Sequence, residues 1–259
     1  MAFVVDIPDV TISEAQVSFQ AKLKEHTKVK GEFLDNELVF RQVLISNLSS
    51  QPIDIFATFY ERDGFVSFAG FFYVDSAFVS NQSSEKTYYT VHKFVVDYAN
   101  SAYKLGLEHK LSGETSSLAD LKKEQKKNFS EQEKIQKGLI NAKRQIEKSE
   151  MKITEMKTEV ELLTAEIGKR KEAIISSRSD PEEKKQAKSE ISSMEKKRTS
   201  LNKEIDKQHN EVNQAQAAIR QLEIDLKDKQ REAEVISLKI KEQEEHVEGV
   251  KSKMGGAKK

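Results

Sequence analysis

The stretch LADLKKEQKKNFSEQEKIQKGLINAKRQIEKSEMKITEMKTEVELLTAEIGKRKEAII, residues 118–175, decides the fold. Its apolar residues recur in steps of three and four without a slip. Leu118, Leu121, Ile135, Leu139, Ile146, Ile153, Met156, Val160, Leu163 and Ile167 fall on one line, with Gln125, Asn128, Gln132, Ser149 and Arg170 as its polar members. Steps averaging about 3.5 residues keep one stripe turned toward a partner helix, and so sustained a heptad reads as a coiled coil.

The pattern stops over residues 176–181, Ser-Ser-Arg-Ser-Asp-Pro. Asp180 suits a helix N-cap and Pro181 the first helical position, while Glu182 and Glu183 complement the helix dipole. Proline inside a continuing helix would instead cost about 3 kcal/mol. One helix therefore ends at 175, and a second is predicted over 182–254 with a basic tail at 255–259. The second helix has its own heptad seam, which includes Ile191, Met194, Leu201, Ile205, Val212, Ile219, Leu222, Leu226, Ile236 and Ile240. Its phase is offset by three residues from the first, as an interruption requires.

Two arrangements fit. In a helical hairpin the second helix returns antiparallel, and pairing residues whose numbers total 361 sets seam opposite seam: Leu139 meets Leu222 and Met156 meets Ile205. In the rival, both helices run on as a parallel dimer. Flanking charges do not separate the two, and Pro181 at the turn favours the hairpin.

The remainder of the chain has another character. Of 19 aromatic residues, 18 lie at or before Tyr103, and Phe129 is the exception. Residues 1–110 carry 10 Lys or Arg against 14 Asp or Glu, and the other 149 residues carry 33 against 29. The two parts cancel, so the net charge of zero argues against a general nucleic-acid binder. Zero cysteine excludes disulfide staples and thiolate chemistry. No basic, apolar leader opens the chain and no apolar run approaches the ~18 residues of a membrane span, so a cytoplasmic location is expected.

Residues 1–110 read as a β-rich head, joined to the rod by a linker at 111–117. Val17, Phe19, Ala21 and Leu23 alternate with polar residues and predict a strand. Further strands are expected over 37–48, 53–60, 65–74 and 86–97, with Asp63-Gly64 as a hairpin turn. Short strands of this spacing predict an antiparallel sandwich or barrel.

The run 65–74, FVSFAGFFYV, is apolar on both faces. A central strand buried on both sides, with Gly70 at a bulge, is the favoured reading. The alternative is an exposed aromatic surface in which Phe65, Phe68, Phe71, Phe72 and Tyr73 dock a partner or a lipid surface. His26, His92 and His109 match no metal-ligand spacing. No nucleophile elbow, glycine-rich phosphate loop or zinc-protease motif occurs, and no cofactor is implied.

A compact head on a long rod is a spacer-and-binder layout. The expected function is a non-enzymatic scaffold that self-associates or docks protein partners through its rod and presents the head for recognition. A peripheral lipid-binding protein using residues 65–74 is the alternative.

Overall fold

The computed structural model describes residues 1–46, 48–176 and 181–256. In chain order these form β1 (Phe3–Ile7), α1 (Ile12–Lys24), β2 (Glu32–Leu34), β3 (Glu37–Val43), β4 (Ile53–Arg62), β5 (Phe65–Val74), β6 (Ala77–Phe78), α2 (Glu85–Ser176) and α3 (Pro181–Gly256). The chain divides into two compact units, residues 1–122 with 239–259, and residues 123–238.

The first unit holds one open antiparallel sheet of order β1-β5-β4-β3-β2, with β6 added to β5. The expected sandwich or barrel is not formed, because two segments predicted as strands are helices. Residues 17–24 alternate in polarity, yet within α1 Ala15, Ser18, Phe19 and Leu23 are buried while Val17 is exposed, which is helical spacing. The deciding signal is a capping box. Thr11 Oγ1 accepts the Glu14 backbone N–H at 3.2 Å, and the Glu14 carboxylate accepts the Thr11 N–H at 2.8 Å.

Residues 86–97 are likewise the first turns of α2. Val91, Phe94, Val95, Tyr98, Ala99 and Ala102 are buried, three and four residues apart. The Ser84 hydroxyl accepts the Thr87 backbone N–H at 3.2 Å and caps the start. The linker expected at 111–117 is absent as well, since α2 runs unbroken through it. Once a helix has nucleated, adding a residue costs little, so no fresh helix start is needed near residue 118.

The core of this unit lies between one sheet face and the two helices. Phe19 of α1, Phe68 of β5 and Tyr98 of α2 form a triangle of rings with centroids 4.9–5.0 Å apart. Burial of a side chain the size of Phe19 contributes about 1.5–3 kcal/mol. The Tyr98 hydroxyl donates to the Ala15 carbonyl at 2.9 Å, which satisfies the one polar atom in that triangle, and burial pushes its phenol pKa up.

Turn chemistry follows the sequence at Asp63-Gly64, where both residues have positive φ and Arg62 pairs with Phe65. Gly70 does not sit at a bulge, because the β4–β5 register runs through it unshifted. A Cβ there would stand 2.7 Å from the Phe68 ring, so Gly70 leaves room for that ring. The register shift falls instead on β3 between Phe40 and Val43, where Gln42 has φ 56°.

Gly106 marks the tightest approach. A Cβ at this position would lie 2.3 Å from the Asp9 carbonyl oxygen and 2.5 Å from Val10. Asp9 itself has φ 55°, so the turn after β1 is bent to meet α2.

Opposite outcomes are expected for two helical glycines. Gly113→Ala, with nothing within 4 Å, should stabilise by about 0.5–1 kcal/mol through helix propensity. Gly106→Ala should destabilise by about 1–3 kcal/mol through its clash with backbone. Urea denaturation of both variants checks this, and equal gains would overturn the contact at Gly106.

Candidate interaction surface

Strand alternation divides the aromatic run of β5. Phe68 and Phe72 are fully buried in the core, whereas Phe65 and Tyr73 are exposed and Phe71 is half-buried. The last three point to the face of the sheet opposite the helices. There Phe78 of β6 pairs with Tyr73 at a ring distance of 5.1 Å and touches Phe56 and Phe71 at 6.2 and 6.4 Å. Phe56 and Phe78 were not singled out from sequence. Phe56 occupies the strand position next to core-facing Ile55, and β6 is too short to leave a pattern.

The three histidines noted in the head lie in separate settings. His26 approaches the Phe94 ring, His92 stacks on Tyr88 on the surface of α2, and His109 bonds to Glu14. Among the described residues no group of three or more His, Cys, Asp or Glu could hold a metal ion.

A charged junction ties the head to both long helices within the first unit. The Asp9 carboxylate accepts from Lys110 of α2 and from Lys253 of α3, each at 2.8 Å. Hydrogen bonds from Lys110 and Lys253 hold its carboxyl below the usual carboxylate range, against the opposing effect of partial burial. Glu14 receives His109 at 2.8 Å, and that bond, with the Thr11 backbone N–H, lowers its pKa too. Nearby, Gln243 donates to the Glu114 carbonyl at 2.9 Å and Lys122 pairs with Glu244 at 2.8 Å. These partners are far apart in the chain and have no sequence signature.

On the long helices, every seam position from Leu118 to Ile174 and from Ala187 to Val250 is buried or half-buried. In the second unit Ile153, Ile205 and Val212 form a small core, with Ile146, Met156 and Val160 packed against it. The polar seam residues bond across the helices. Gln125 reaches Ser237 at 3.3 Å, Asn128 reaches Glu232 at 3.2 Å, and Gln132 reaches the Lys229 carbonyl at 3.3 Å. Lys229–Glu131, Lys197–Glu159 and Lys171–Glu195 pair at 3.0, 2.6 and 2.7 Å, and Arg170 pairs with Glu190. Pro181 is the first residue of α3, while Asp180 and the rest of the expected turn, 177–180, lie outside the described residues, as do 257–259 of the tail.

No protein-family model matches the chain, and no curated protein or solved structure matches it with significance.

The junction carries a pH signature. A carboxylate whose pKa is lowered by folding adds stability above its unfolded value near 3.9, and this is lost as pH falls through the folded value. The stability difference between the native chain and Asp9→Asn should therefore be largest above about pH 5 and fade toward pH 2. Denaturant titrations across that range measure it; a difference that is the same at both ends would remove the ion pairs as its source.

Proposed function

We propose that the protein is a non-enzymatic scaffold. In this reading α2 and α3 zip antiparallel into a coiled-coil hairpin, and the head carries a recognition surface for protein partners. The supporting observation is a coincidence of two patterns. The heptad positions are the inward ones, and the residues they bring together across the helices have numbers totalling close to 361, as in Gln132–Lys229 and Asn128–Glu232. Gly138 belongs to the same series, since a Cβ on it would lie 3.4 Å from Leu222.

A hairpin closes its own seam within one chain, so the rod would persist without a second copy. Polar residues in a seam lower stability and fix register. Gln125, Asn128 and Gln132 do so here with hydrogen bonds to α3, which an apolar zipper slipped by one heptad would lose. The absence of any catalytic motif in the sequence supports the non-enzymatic part of the reading.

The aromatic face of the sheet is the head's candidate docking surface. The lipid-binding alternative now rests on Phe65, Phe71 and Tyr73 with Phe78, because Phe68 and Phe72 pack the core. Among the described residues no helix is long and apolar enough to cross a membrane.

The native chain has no cysteine, so introduced pairs report without background. Oxidised Leu139→Cys/Leu222→Cys protein should form a disulfide within one chain and keep monomer mass on a non-reducing gel. A crosslink found only between chains would overturn the hairpin. Full-length protein should not float with phosphatidylserine vesicles; flotation abolished by Tyr73→Asp and Phe78→Asp would favour the lipid reading instead.

A further inference from the structure

Four large apolar side chains stand on the solvent side of α2. Phe129, Ile140, Met151 and Leu162 are 52%, 51%, 65% and 68% exposed, and each follows the last by eleven residues. Eleven residues make nearly three whole turns of an α-helix, with a residual rotation of about 20° per step. The four thus form one almost straight row about 50 Å long at the helical rise. None belongs to the 3.5-residue seam, whose members are turned inward. Scattered exposed apolar residues need no explanation, but a row at constant spacing on a charge-rich helix does.

We propose that this row is the contact surface of a homodimer in which two copies of α2 lie antiparallel about a two-fold axis between residues 145 and 146. The proposal deepens the scaffold reading and rests on it. That axis places Phe129 opposite Leu162 of the second copy and Ile140 opposite Met151, so every apolar member of the row meets another. Between them Arg144 meets Glu147, and symmetry repeats the pair. Among the described residues neither Arg144 nor Glu147 makes an ion pair within the chain, so both charges are available.

The rest of the row agrees. Gln136 faces Glu155 and Glu133 faces Thr158, and neither of these pairs opposes like charges. Lys143 and Lys148 would also be opposite each other, but both stand about 60° to the side of the row, where their ammonium groups reach water. A parallel pairing in register would set Arg144 against Arg144 and Glu147 against Glu147, so charge selects the antiparallel one. An open groove bordered by Glu147, Met151, Glu155 and Thr158 is there to receive Ile140 of the second copy. The period also selects the partner. A straight eleven-residue row stays in contact with a row of the same period, while a heptad stripe drifts from it by roughly 50° per step.

The test uses the full chain in sedimentation equilibrium, at concentrations up to hundreds of micromolar, with circular dichroism to verify helix content. The native chain should dimerise. Ile140→Glu/Met151→Glu should weaken the dimer by at least about tenfold with helix content kept, since both positions are exposed. Arg144→Glu should weaken it as well, and Arg144→Glu/Glu147→Arg should restore it, a rescue that a dimer formed elsewhere would not show. A native chain that stays monomeric, or a dimer indifferent to these substitutions, overturns the proposal. The intrachain crosslink at positions 139 and 222 is read separately. Monomeric protein that still forms it removes only the dimer, whereas loss of the crosslink removes the hairpin beneath it.

Discussion

A helix of 92 residues gains little from propensity alone and persists where one of its faces is taken out of water. α2 meets this condition twice along its length. From Val91 to Ala102 it buries residues three and four apart against the sheet and α1. From Leu118 onward the inward residues follow the narrower 3.5-residue stripe that suits a single partner helix. Both faces lie on one unbroken helix, so the head and the start of the rod are not separable by a flexible joint at 111–117.

The head solves its own burial problem with one sheet face. Strands β3, β4 and β5 turn Phe40, Ile55, Phe68 and Phe72 toward α1 and α2, and the opposite face gathers Phe56, Phe71 and Tyr73 around Phe78. An open sheet of this kind leaves that face without a second layer, so Tyr73 and Phe78 remain exposed there. Steric fit holds α2 in place on the other side. Gly106 allows backbone contact with the bent turn at Asp9, and the carboxylate of the same residue then bridges Lys110 and Lys253. Exposed ion pairs contribute little individually. Asp9 differs because it is mostly shielded and serves two ammonium groups at once.

Along the long helices, apolar packing and polar detail have different roles. Ile153, Ile205 and Val212 exclude water but would accept several registers, since heptads repeat. The hydrogen bonds of Gln125, Asn128 and Gln132 accept only one. Arg170–Glu190 and Lys171–Glu195 add ion pairs farther along α2 and α3, and their solvent contact keeps each contribution small.

The stripe that periodicity marks along both long helices coincides with buried and half-buried positions of α2 and α3, because a heptad is a local property repeated many times over. The Asp63-Gly64 turn was legible for the same reason, as a short-range backbone effect, whereas the run 65–74, apolar on both faces, did not tell buried Phe68 and Phe72 from exposed Phe65 and Tyr73. Residues 17–24 and 86–97 misled, since short stretches rich in β-branched, aromatic or alternating side chains look alike on a strand and on a helix, and the caps at Thr11 and Ser84 mark the helices. Tertiary structure alone decided that the sheet stays open, that Gly70 clears a ring rather than making a bulge, and that Asp9 meets Lys110 and Lys253. Those outcomes depend on which distant surfaces come within a few ångströms of each other, and no local pattern of residues encodes that distance.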